Sequence, residues 1–114
     1  WINRGDNVRI RFGNLGLKNH PIHFHGHQFH ITASDGNPIK KDNWIKKNSV
    51  LVSSGSTWDI EFCANNLGYW PLHCHIPHHV SNNKMLPLGG MTTSVNYKEF
   101  DYYSNLKYST CPKL

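Results

Sequence analysis

Cys74 lies between His73 and His75, and His79 follows four residues after the second of these. A thiolate flanked by imidazoles is a soft nitrogen–sulfur donor set, the kind that holds copper, iron or zinc. Upstream, His20-Pro21-Ile22-His23-Phe24-His25-Gly26-His27 places histidines at i, i+3, i+5 and i+7. All nine histidines fall in one of two short windows, residues 20–30 and 73–79. A single histidine on an apolar strand is ordinarily a packed or surface residue, and a single cysteine a small buried hydrophobe. A histidine-rich metal-scavenging tract is another plain alternative. Two clusters on apolar, strand-like segments, one with cysteine between histidines, point instead to built metal sites.

Those side chains need strands to sort them. If residues 69–75 are extended, Cys74 faces one way while His73 and His75 face the other. The two histidines are then about 7 Å apart along the strand, at about 3.3 Å per residue. They could serve two adjacent metal ions while the cysteine serves a third centre behind them, one tripeptide joining two sites covalently. In the upstream motif His23 and His25 share a face of an extended segment, and Pro21 is expected to break the alternation and free His20 to turn elsewhere.

The surrounding pattern supplies strands. Val8, Ile10 and Phe12 alternate with Arg9 and Arg11, a half-buried strand over residues 7–14. Residues 22–33 read as one long strand, broken or bulged at Gly26. Asp35-Gly36-Asn37-Pro38 is a turn, and residues 39–48 a polar, lysine-rich surface loop. Short strands follow at residues 50–52 and 57–64. Asn65-Asn66-Leu67-Gly68 then turns the chain into the cysteine strand. Residues 77–82 are expected to form one helical turn that returns His79 towards Cys74, and residues 92–97 a closing strand. Short strands separated by turn signals indicate an all-β sandwich or barrel. Residues 1–114 form a single domain, with 98–114 as a C-terminal tail.

Composition narrows the classes. At 114 residues the chain holds one modest core, and no apolar run is long enough to span a membrane. The chain carries no signal peptide and begins at Trp1, the expectation for a processed product or a piece of something longer. A formal charge of +5 would suit an acidic partner, but apart from Lys40-Lys41 and Lys46-Lys47 the basic residues are scattered. A solvated surface, not nucleic-acid binding, is the reading. With Cys74 assigned to metal, Cys63 reads as a buried thiol, and a Cys63–Cys111 bridge is the less favoured alternative.

The two clusters also carry a resemblance. HPIHFHGH and HCHIPHH are similar, in order and spacing, to the C-terminal copper motifs HPxHxHG and HCHxxxH of the multicopper oxidases, a family that includes laccases and bacterial copper-resistance oxidases. The likeness runs from GDNVRIRFGN through GSTWDIEFCANNLGYWPLHCH to GGM. The long segment between His79 and Met91 resembles the bacterial copper-resistance branch more than fungal laccases. The resemblance implies a cupredoxin-like Greek-key β-sandwich, with one or two N-terminal strands missing before Trp1. It implies copper, with His20, Cys74 and His79 as ligands of a type 1 centre and Met91 as the weak axial ligand, Met85 being the rival. His23 would bind a type 2 copper, and His25, His73 and His75 a type 3 pair.

In such enzymes a small reducing substrate, a phenol or a metal ion, gives up electrons singly at the type 1 centre, and oxygen is reduced to water at the trinuclear cluster. Cys74 would receive the electron, and His73 and His75 would take it onward. That cluster needs eight histidines, and this chain has four of them. A second domain or another chain must supply the rest, so the isolated chain is expected to be inactive. A periplasmic or extracellular location follows from the same resemblance. Two other readings stand beside it: a stand-alone blue-copper electron carrier, which does not need His23, His25, His73 and His75, and a copper- or zinc-sequestering protein. His27 is expected to orient a neighbouring ligand through its ring nitrogen, His78 to be exposed, and Trp70 and Phe24 to pack the core.

Overall fold

The computed structural model describes residues 1–81 and 89–99. The chain folds as two antiparallel sheets packed face to face. Strand β1 (Asn7–Gly13) pairs along its whole length with β7 (Thr57–Cys63), Asn7 opposite Cys63 and Gly13 opposite Thr57. On the other side of β7 lies β3 (Phe29–Ser34), whose register shifts between Ile31 and Ala33. The outer edge of β3 is shared by the two-residue β4 (Asn37–Pro38) and by β5 (Ile45–Lys47). The second sheet runs in the order β6 (Ser49–Val52), β2 (His20–Phe24), β8 (Tyr69–Cys74), β9 (Thr92–Asn96). One helical turn, α1 (Pro77–Val80), follows β8.

Alternation along each strand builds the core. Ile22 and Phe24 from β2, Val50 and Val52 from β6, and Leu72 and Cys74 from β8 point inward and meet Phe29, Ile31, Ile60 and Phe62 of the opposite sheet. Burying a Phe, Ile, Leu or Val side chain contributes about 1.5–3 kcal/mol, and in a chain this small such residues dominate its stability. On the flank of the first sheet, Arg11 donates from Nε and Nη2 to the two Asp59 carboxylate oxygens at 2.6 and 2.8 Å. That guanidinium holds the buried Asp59 carboxyl below its ordinary pKa range.

The all-β sandwich is as expected, and three local expectations are corrected. Residues 22–33 are two strands in different sheets: the chain leaves the second sheet after Phe24, turns through Gly26 at a φ of 71°, and joins the first sheet at Phe29. Residues 39–48 are not all loop, because β5 within them pairs with β3. Cys63 is disulfide-bonded rather than a thiol. Alternation in β7 could not reveal this, since it gives a side chain's face and not its bonding. Cys111 and the remainder of the 100–114 tail lie outside the described residues, as does Met85.

Candidate metal centre

Two strands at the middle of the second sheet, β2 and β8, carry seven of the eight predicted ligand positions or lead directly into them. Their register sets Ile22 opposite Cys74, His23 opposite His73 and Phe24 opposite Leu72. Inward positions on β2 are His20, Ile22 and Phe24, so His20 points the same way as Cys74 on the neighbouring strand. His23 and His73 point outward together. β2 runs unbroken through Pro21, which corrects the expectation that proline redirects His20. The odd separation of His20 from His23 is sufficient to place them on opposite faces.

On the inner side, Cys74 is completely buried and free. Its Sγ lies 3.6 Å from His20 Nδ1 and 3.4 Å from His79 Nδ1, and the two imidazole nitrogens are 3.1 Å apart. Among the described residues these three form the group whose donor atoms converge closely enough to share one metal ion, all lying within 4.8 Å of one another. His79 arrives through α1, where its N–H donates to the Ile76 carbonyl at 2.9 Å. Partial burial, then the neighbouring His20 ring, lower the His79 pKa, favouring the neutral form that a metal needs. Met91 is tied to both neighbours by its backbone: its carbonyl accepts from Cys74 N–H and its N–H donates to the His79 carbonyl, each at 3.0 Å. An open, largely apolar cavity of about 570 Å³ adjoins the site, with Phe12, Leu15, Val52, His20 and Met91 in its wall.

The outer side gathers the other four histidines. Ring centroids separate His23 from His25 by 4.8 Å, from His75 by 5.4 Å and from His73 by 5.8 Å. His25 Nε2 and His73 Nε2 approach to 2.9 Å. Two of the tautomers are set by the backbone. His23 Nδ1–H donates to the Asn48 carbonyl at 3.0 Å, and His73 Nδ1–H donates to the Cys74 carbonyl at 2.8 Å. Each ring therefore turns an Nε2 lone pair outward, the arrangement in which a backbone acceptor orients a metal-binding histidine. Partial burial, then the nearby His25, lower the His23 pKa.

The remaining histidines fall elsewhere. His78 is exposed, as expected. His27 lies in the core, where its ring also interacts with the backbone of the predicted ligand His25. It is buried, stacked on Phe24 at 5.0 Å between centroids, with Nε2 2.7 Å from Tyr97 Oη. Two residues that position the site had no signal in type or spacing. Asn14, buried, donates from Nδ2 to the Lys18 and Val52 carbonyls at 2.7 and 2.9 Å and so fixes the loop that delivers His20. Asn66, which reads in the sequence as one more turn residue, bonds the Gly26 carbonyl from Nδ2 at 2.8 Å.

A two-sheet β-sandwich with one Cys and two His converging inside, and four His gathered on the outer face of the same two strands, is a cupredoxin domain of the copper-oxidase type. The sequence pattern of the multicopper oxidase family matches residues 2–91. The chain is 40% identical over 83 residues to Laccase-8 of Oryza sativa subsp. japonica, covering 66% of this chain and 14% of that protein. It is 30% identical over 96 residues to multicopper oxidase MmcO of Mycobacterium tuberculosis, covering 84% of this chain and 17% of MmcO. Among solved structures, the blue copper oxidase from Nitrosomonas europaea superposes with a TM-score of 0.79 at 36% identity, over 86% of this chain and 30% of that one. The chain belongs to the multicopper oxidase family. It spans well under a fifth of the length of these two curated relatives. Copper is the family's metal, and the donors fit it: a buried thiol and two imidazoles make the soft, three-coordinate set that suits a blue-copper centre.

Proposed function

We propose that this domain carries the electron-accepting type 1 copper of a multicopper oxidase and half of its trinuclear oxygen-reducing cluster. His20, Cys74 and His79 would hold the type 1 ion, with Met91 as the weak axial ligand. His23 would hold the type 2 ion, and His25, His73 and His75 the type 3 pair. Copper at these positions supplies one-electron redox chemistry, linking oxidation of a small reducing substrate to reduction of oxygen to water.

The observation that carries this reading is the placement of one tripeptide. Cys74 is sealed in the core against His20 and His79, while its neighbours His73 and His75 stand on the opposite face beside His23 and His25. A simple electron carrier needs the inner set alone, and a scavenger needs neither the burial nor the register. In this arrangement the protein's own groups do three things. Cys74, wholly buried, would hold the inner ion on the core side of the sheet, with the partly exposed His20 and His79 completing the set. The Asn48 and Cys74 carbonyls hold His23 and His73 with Nε2 lone pairs presented outward. The β8 backbone then gives a fixed covalent path between the two faces. The Met91 assignment is supported by the hydrogen bonds that pin its backbone between Cys74 and His79. The apolar cavity beside His20 and Met91 suits the approach of a phenol-sized or smaller electron donor.

The remaining cluster histidines come from an N-terminal cupredoxin domain or another chain that docks on the four-histidine face. A periplasmic or extracellular setting is supported by the disulfide at Cys63, since such bonds persist in oxidising compartments. The test combines metal analysis with an oxygen electrode. The 114-residue chain should hold one copper tightly and a second more weakly on the four-histidine face, turn blue, and consume negligible oxygen with a phenol or cuprous substrate. Turnover should appear when the complementary domain is supplied. Robust four-electron turnover by the monomeric chain alone, or a colourless copper complex, would overturn the reading.

A further inference from the structure

Two members of the four-histidine face lie just past a strand end: His75 follows β8 on the way to α1, and His25 follows β2 and opens the crossing between the sheets. β2 ends at Phe24 and β3 begins at Phe29, so residues 25–28 cross between the sheets as a loop. The position of His25 relative to His73 is therefore set by whatever holds that loop, and the holding groups are specific.

The Trp70 indole lies flat against Gly26. A Cβ at position 26 would stand 2.1 Å from the Trp70 ring, and Gly26 has a φ of 71°. The Asn66 side chain donates from Nδ2 to the Gly26 carbonyl at 2.8 Å, while the Asn66 backbone carbonyl accepts from Trp70 Nε1 at 2.7 Å. Tyr97, with no exposed surface, meets His27 Nε2 at 2.7 Å and accepts from the Asn66 N–H at 3.4 Å. His25 N–H donates to the Pro71 carbonyl at 2.9 Å. The loop is thus held at three successive residues, at His25 by the β8 backbone and at Gly26 and His27 by groups bonded to Asn66. None of them touches the inner His20–Cys74–His79 group.

We infer that Asn66, braced by Trp70 and Tyr97, is a positioning residue for the outer metal face: it fixes loop 25–28 and so sets the 2.9 Å approach of His25 to His73. This rests on the proposed role of the four histidines as copper ligands. The consequence is selective. Releasing the loop loosens the outer face and leaves the inner centre intact, because β2 and β8 are joined by their own ladder. Groups that orient metal ligands through hydrogen bonds typically govern affinity by about 10–100-fold.

The experiment is a copper(II) titration of the 114-residue chain, following the blue absorption of the first ion and the electron paramagnetic resonance of a second, imidazole-bound ion. Asn66→Ala and Tyr97→Phe should each weaken the second ion by about 10-fold or more. The blue band and first-ion affinity should stay unchanged. Asn66→Asp keeps the side-chain shape but sets an acceptor against the Gly26 carbonyl, and it should match Asn66→Ala if donation is what matters. Unchanged second-ion affinity in folded Asn66→Ala and Asn66→Asp overturns the inference, as does equal loss at both ions, which would mark a general structural role. If the unaltered chain takes up no second ion on these histidines, the four-histidine reading itself fails, and this inference falls with it.

Discussion

Substituting Gly26 by alanine tests the closest backbone approach near the site. Two costs add. A non-glycine residue at a φ of 71° sits in the left-handed region, at roughly 1–2 kcal/mol. The new methyl would overlap the Trp70 ring at 2.1 Å, and forcing an extra group into a packed contact costs about 1–3 kcal/mol. The sum, about 2–5 kcal/mol, is a large share of the 5–15 kcal/mol typical of a folded domain. With about 4 °C per kcal/mol for a domain of this size, the unfolding midpoint should drop on the order of 10–20 °C. Gly36→Ala is the internal control. Gly36 has a φ of 79° but nothing within 4 Å of its would-be Cβ, so only the backbone cost applies, about 1–2 kcal/mol. Thermal unfolding of the metal-free proteins, followed by circular dichroism, gives both numbers. If Gly26→Ala loses no more than Gly36→Ala, the Trp70 contact is not a rigid stop, and the argument for a clamped loop 25–28 is refuted.

Three further outcomes are expected. Cys74→Ser should abolish the blue colour of the copper-loaded chain while retaining the far-ultraviolet spectrum of the fold, since the thiolate–copper bond is the source of the colour; a surviving intense blue band would end the inner-site assignment. Met91→Leu should raise the reduction potential without loss of copper, because a weak axial donor stabilises the oxidised ion more than the reduced one; an unchanged potential, with a shift in Met85→Leu instead, would move the axial role to Met85. Burial pushes the Tyr97 phenol up to about 12 from an ordinary 10, so its contribution to stability is fully present below about pH 10 and is lost as pH rises towards 12, where the unfolded chain ionises first. Phenolate absorbance should therefore show one tyrosine that titrates with alkaline unfolding, and its ionisation near pH 10 in the folded protein would contradict the burial argument.

The chemistry was easier to read than the path of the chain. Cys74 with its flanking histidines, and the histidines of the 20–27 run, could be sorted by strand parity alone, because parity depends only on residue spacing. Strand boundaries were less legible where tertiary pairing decides them. Residues 22–33 show a break at Gly26, but nothing in the pattern tells a bulge within one strand from a crossing between two sheets. Gly26, with a positive φ and the Trp70 ring of the neighbouring strand where a Cβ would stand, makes the break. β5 was hidden because its three residues are all exposed and form an edge, where pairing needs backbone groups and no apolar side chain. Asn14 and Asn66 escaped notice for a related reason. A buried asparagine that ties carbonyls together has the same local signature as one in a surface turn, and only the distant partner, Val52 for one and Gly26 for the other, tells them apart.

The two metal faces share one mechanical origin, and this explains why the ligands lie where they do. In an antiparallel pair a slip of one residue would turn every side chain to the other face. The β2–β8 register is held from both sides, because β6 pairs with the outer edge of β2 and β9 with the outer edge of β8. Inward neighbours Val50, Val52 and Leu72 penalise a slip by exposing apolar surface. The hydrophobic core of the second sheet therefore fixes which face Cys74 takes, and His73 is committed to the other face by the same constraint. His79 and His25 are different. Each is delivered by a short segment beyond a strand end, α1 in one case and loop 25–28 in the other, and each is held by a small set of hydrogen bonds. The ligands carried by strands inherit the rigidity of the sheet, whereas His79 and His25, like His75 one residue past β8 with its N–H on the Pro21 carbonyl, depend on a few polar contacts, so the geometry of each metal face is most open to adjustment at the strand ends.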